Sequence, residues 1–174
     1  MRFNKILRAS LAVVTLATAV ACADSASPTA PREVVLPSAV SASTAQKPMT
    51  IATCAVQQET WTTRNIGILG GTIKAGGATL VVPPGALLRP VAITAHTPAT
   101  ANASVEFQPE GLKFIVPAVL TMSYAKCQTP LTGVTIVYVR QGLIAEILPS
   151  RILSILLRLV VAPIGHFSSY AVAY

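Results

Sequence analysis

Beyond residue 50 the apolar positions come in short bursts, and nearly every burst is closed by glycine or proline. The stretch GGTIKAGGATLVVPPGALL predicts two brief strands, around Thr72 to Lys74 and Ala78 to Val82, joined by a turn at Ala75, Gly76 and Gly77. The Pro83, Pro84, Gly85 sequence ends the second strand, since proline has no N–H for a ladder and glycine accepts the positive φ a turn demands. The segments VAITAHT, SVEFQP, AVLTMSY, VTIVYVR, AEILPS and YAVAY repeat the design. Strands too brief to stand alone, with turn signals between them, predict an all-β fold: a single antiparallel β-sandwich over residues 51–174.

One stretch fits less readily. RILSILLRLVVAP, residues 151–163, carries Ile152, Ile155, Leu156 and Leu159 at helical spacing, and leucine favours helix. The surrounding β-rich pattern and the flanking Pro149 and Pro163 favour strand.

The preceding residues are of a different kind. Arg2, Lys5 and Arg8 lead into an apolar run from Leu11 to Ala21, which is an export signal and falls short of the ~20 residues of a membrane-spanning helix. Ala19, Val20, Ala21 and Cys22 resemble a bacterial lipobox, with alanine where leucine is commoner; on that reading the signal is 1–21 and Cys22 is the acylated first mature residue. Ordinary signal-peptidase cleavage after Ala21 or Ala23 is the alternative. Residues 22–50, dense in Ala, Ser, Thr and Pro, lack the bulk for a core and read as a flexible tether reaching roughly 30 Å.

Charge narrows the partners. The formal +7 falls to +4 once Arg2, Lys5 and Arg8 leave with the signal, and the remaining basic residues are scattered singly, which argues against nucleic-acid binding. With Cys22 assigned to lipid, Cys54 and Cys127 form an even pair in an exported chain; a disulfide between them would be worth about 4 kcal/mol, and two buried free thiols are the alternative. His96 reads as an exposed strand-end histidine, and Trp61 as a core or sheet-edge aromatic, or else an exposed ligand platform. After Asp24 the acidic residues are Glu33, Glu59, Glu106, Glu110 and Glu146, and no two make a convincing acid/base pair; no metal site and no cofactor are expected.

The glycine and proline positions carry a resemblance. Gly70 and Gly71, Pro83 to Ala86, and Pro109, Gly111, Phe114 and Pro117 resemble the ZU-five domain of ankyrins, netrin receptors and certain death-domain proteins, over roughly residues 60–174. The resemblance implies a β-sandwich. Bacterial lipoproteins with such a module tend to end in a His-Phe-Ser-x-Tyr strand, matched here by His166, Phe167, Ser168 and Tyr170. In the relatives that signal through death domains a similar tripeptide is an autoproteolytic site. Here no death domain follows, and a cut would free only the seven residues 168–174.

The tripeptide has its own chemistry. The Ser168 hydroxyl neighbours the Phe167 carbonyl along the chain, so an N-to-O acyl shift followed by ester hydrolysis is favoured by proximity. On a regular strand His166 would share a side with Ser168 and take its proton. The other reading makes Phe167 a core plug. A hydrolase acting on an external substrate through Ser168 and His166 would lack an orienting carboxylate. The expectation is therefore an exported, lipid-anchored envelope module, an outer-membrane lipoprotein by the residue after Cys22, binding an unidentified envelope protein without turnover; the alternative is a domain that cleaves itself between Phe167 and Ser168.

Overall fold

The computed structural model describes residues 48–174; the signal sequence, Cys22 and most of the tether lie outside the described residues. Eleven strands follow one another: β1 (Thr60–Ile66), β2 (Gly71–Ala75), β3 (Ala78–Val82), β4 (Val91–Thr97), β5 (Ser104–Gln108), β6 (Lys113–Ser123), β7 (Thr135–Arg140), β8 (Leu143–Ile147), β9 (Arg151–Ser154), β10 (Leu159–His166) and β11 (Ser169–Ala173). They form two antiparallel sheets, one of six strands in the order β1-β4-β5-β11-β7-β8 and one of five in the order β2-β3-β6-β10-β9. The described part is an all-β sandwich.

Alternation along the strands explains the layering. In β5, Val105 and Phe107 are buried while Ser104, Glu106 and Gln108 face out. In β3, Ala78, Leu80 and Val82 point inward. The core gathers Ile73, Leu80, Leu120 and Ile164 from one sheet and Ile93, Val105, Ile136 and Tyr170 from the other. Each such aliphatic side chain contributes about 1.5–3 kcal/mol on burial. The β2–β3 turn forms where the glycines predict it, and Gly76 takes φ +53°. A Cβ there would sit 2.9 Å from Thr97 Oγ1, so the position excludes side chains twice over.

The strand directions define two ends. At the leading end the described chain begins, and there Thr50 and Tyr174 exchange backbone hydrogen bonds at 3.1 and 3.0 Å. The β2–β3 turn, the loop after β6 and the β9–β10 turn share that end, because β10 and β11 run in opposite directions along the sandwich. At the opposite end β10 gives way to β11.

Residues 151–163 are extended, in two strands with a turn between. β9 and the start of β10 pair as a hairpin, and the helical spacing of its leucines arises because residues 155–158 are the turn itself. Pro163 lies inside β10 and does not flank it. β9 pairs only with Leu159 to Val161, so one side of β10 has no ladder left for the proline to interrupt.

Candidate functional site

The tripeptide His166, Phe167, Ser168 is the corner at which the chain changes sheets. β10 ends at His166 in the five-stranded sheet and β11 starts at Ser169 in the six-stranded one. The register between β10 and β6 breaks between Ile164 and His166, which frees the chain to turn. The regular strand that would align His166 with Ser168 is therefore not what forms here, and among the described residues no hydrogen bond joins the two side chains.

Phe167 anchors the corner. It is 1% exposed, stacked on Phe107 at 5.2 Å between ring centroids and met edge-on by Phe114 at 4.9 Å. Its N–H donates to the Leu112 carbonyl at 2.8 Å, and its own carbonyl accepts the Gly111 N–H at 3.0 Å. The loop before β6 thus satisfies both backbone groups of the residue whose carbonyl an acyl shift would attack. Ser168 is buried, and with Glu106, Pro109, Glu110 and Ser169 it lines a shallow cleft of about 200 Å³.

His166 is occupied by Tyr170. The Tyr170 hydroxyl donates to the His166 carbonyl at 2.6 Å, and the same oxygen lies 2.9 Å from His166 Nδ1. A phenol has one proton, so with that proton on the carbonyl the contact to the ring requires Nδ1–H to donate. This tautomer leaves Nε2 as the basic nitrogen. Burial pushes the Tyr170 phenol well above its ordinary pKa, and Glu146 and Tyr138 add to the rise, so it stays a neutral donor.

A second cluster lies on the outer face of the six-stranded sheet. One row of register runs Trp61, His96, Glu106, Ser169 across β1, β4, β5 and β11, ending beside the corner. His96, expected to be exposed, is 9% exposed: Trp61 lies flat on its ring, 3.6 Å between centroids and 12° between planes. Its Nε2 meets Glu59 at 3.0 Å and its Nδ1 meets Glu106 at 3.2 Å. Two glutamates that showed no relationship along the chain converge on one histidine. Carboxylates only accept when ionised, so both contacts become hydrogen bonds when the ring carries two protons. The signal available in sequence was the β4–β5 hairpin, whose centre near residue 101 sets position 96 opposite 106. Trp61 is a sheet-edge aromatic, 58% exposed.

Cys54 and Cys127 form a disulfide across an isolated antiparallel bridge at the leading end, 73 residues apart in sequence. The free-thiol alternative is set aside. Among the described residues, no group of three or more His, Cys, Asp or Glu side chains is arranged to hold a metal ion. Cys22 lies outside the described residues.

No protein-family model matches this sequence, and a search of curated proteins finds no match either.

Proposed function

We propose that the chain is a lipid-anchored β-sandwich of the bacterial envelope, of ZU-five type, that serves as a non-enzymatic interaction or structural module. The observation that carries the reading is the Cys54–Cys127 disulfide, because structural disulfides persist in oxidising compartments. Its location also suits an anchored domain. It fastens the segment nearest the tether to the loop after β6, so a pull arriving through residues 48–53 meets a covalent stop before β1 can be stripped from its sheet. The ZU-five assignment is supported by Gly70, which has φ +72° and no room for a Cβ beside the Val82 carbonyl, and by Gly111 at φ +76°.

The test is the mass and partition of the exported protein. Cys22 should carry an acyl increment and the protein should follow the detergent phase; Cys22→Ala should lose both. A wild-type product with a free amino terminus and no lipid removes the anchor from the account. Pull-down from envelope extracts with wild-type protein and a Trp61→Ala variant would then identify a protein partner and show whether the exposed indole contributes.

A second reading, self-cleavage between Phe167 and Ser168, is favoured by the Gly111 N–H held 3.0 Å from the Phe167 carbonyl, where it would polarise the bond and meet a developing oxyanion. Ser168 Oγ would form the ester as the Phe167–Ser168 C–N bond breaks, the nitrogen taking the proton; water would then cleave the ester. Denaturing mass spectrometry decides: a released peptide of residues 168–174, abolished by Ser168→Ala, establishes processing. An unbroken chain rejects it.

A further inference from the structure

The β9–β10 turn carries the wrong residues for a turn. Its central positions usually hold Gly, Asn, Asp or Pro, for reasons of backbone conformation and local hydrogen bonding. Here Ile155, Leu156 and Leu157 occupy the tip, and Leu156 and Leu157 are 92% and 63% exposed. They gain nothing from the fold.

The tip is nevertheless held firmly. Ser154 Oγ accepts the Leu157 N–H at 3.1 Å, and the Arg158 N–H donates to the Ile155 carbonyl at 3.2 Å. Arg158 takes φ +51°, a conformation costly for a residue with a side chain. Its guanidinium turns back into the protein, donating to the Thr129 carbonyl at 2.8 Å and lying over the Tyr124 ring at 5.2 Å. The arginine therefore stiffens the base of the turn while the leucines project from it.

Position identifies what they face. The tip stands at the leading end, and two hydrogen bonds link it to the incoming chain: the Gln128 N–H donates to the Thr53 carbonyl at 2.8 Å, and the Arg158 guanidinium donates to the carbonyl of the next residue, Thr129. Twenty-five residues separate Cys22 from residue 48. Whatever surface holds Cys22 is thus tied to the end of the sandwich that displays the leucines. Val56 and Leu131, from two other loops of that end, are also exposed.

We infer that the leading end docks on the phospholipid bilayer, with Leu156 and Leu157 inserted among the acyl chains as a second, non-covalent membrane contact. A lipid chain and an apolar insertion add as two signals do in other peripheral proteins, one reversible contact becoming a stable one. The domain would then lie against the membrane at the end of its tether. The inference rests on the anchored reading proposed above, and the test separates the two.

The experiment uses the chain from residue 22 with Cys22→Ser, so that no acyl group can form, and measures flotation with phosphatidylcholine vesicles and with phosphatidylethanolamine–phosphatidylglycerol vesicles. Binding is expected to both and to survive high salt, because the contact is apolar. Leu156→Ser with Leu157→Ser should weaken it by on the order of tenfold per leucine. Both side chains are exposed, so the fold, checked by circular dichroism, should persist. Leu69→Ser with Leu88→Ser, which removes exposed leucines from the opposite end, should leave binding unchanged. A Trp61→Phe, Leu156→Trp chain should show a blue shift of indole emission on adding vesicles. Absent flotation, flotation indifferent to Leu156 and Leu157, or loss only with the opposite-end pair overturns the inference, even if Cys22 proves acylated. Binding by the unacylated chain that is lost with Leu156 and Leu157 upholds it, even if the native protein lacks a lipid.

Discussion

Tyr170 and His166 are joined twice: the phenol donates to the histidine's carbonyl at 2.6 Å and receives the ring Nδ1–H at 2.9 Å. Four residues apart, they lock the corner between the sheets from both sides of Phe167. Tyr170→Phe keeps the ring and its packing but leaves the His166 carbonyl without this donor. The expected loss is about 1–3 kcal/mol, seen as a lower urea midpoint at unchanged m value. A midpoint equal to wild type would mean that the two bonds contribute nothing net.

The same residue sets an alkaline limit. Burial, then Glu146 and Tyr138, raise the folded-state pKa of Tyr170 above the unfolded value of about 10. Below that value the phenol is neutral in both states and its contribution is complete. As pH climbs past it, the unfolded chain releases a proton that the folded chain retains, so stability falls by about 1.4 kcal/mol per pH unit toward the folded pKa. Other groups titrate there too, so the quantity to measure is the difference between wild type and Tyr170→Phe. Parallel stability curves above pH 10 would contradict the assignment.

Removing the disulfide tests the covalent staple. Cys54→Ala with Cys127→Ala opens a loop whose closure is worth about 4 kcal/mol on the chain-entropy model. Denaturation of this variant should match that of reduced wild type and fall well below that of the oxidised protein. Equal stability of oxidised and reduced wild type would show that the bridge adds nothing to the fold.

How much of this was legible depended on whether a residue's role was local. β4 is the segment VAITAHT itself, and the β2–β3 hairpin turns at Gly76 and Gly77, because alternation and turn chemistry are written into consecutive residues. β1 was not legible: TWTTRNI buries fully only Ile66, since an edge strand needs few inward apolar groups. The two-strand form of residues 151–163 was hidden because Leu156 and Leu157 sit in a turn where sequence rules place polar or flexible residues. Of the two readings of the corner, the core plug agrees with the burial of Phe167, while the regular strand through His166 and Ser168 does not form, for nothing in His-Phe-Ser announces a change of sheet. The His96 cluster draws on β1, β4 and β5, with Glu59 37 residues from its histidine, and only the register across the sheet brings them together.

Phe167 gives the sharpest test of what the tripeptide is for in the fold. It is enclosed by Phe107 and Phe114, and its backbone is held by Gly111 and Leu112, so no neighbour can collapse into the space it leaves. Phe167→Ala should cost about 3–5 kcal/mol, close to the upper range for a core truncation. Phe167→Leu, which keeps most of the volume, should recover more than half of that. Ser168→Ala, by contrast, removes no hydrogen bond of the fold and should leave the denaturation midpoint near wild type. If Ser168→Ala proved as damaging as Phe167→Ala, the corner would depend on the serine hydroxyl in a way its hydrogen bonds do not express, and Phe167 would lose its place as the plug that fixes the turn between sheets.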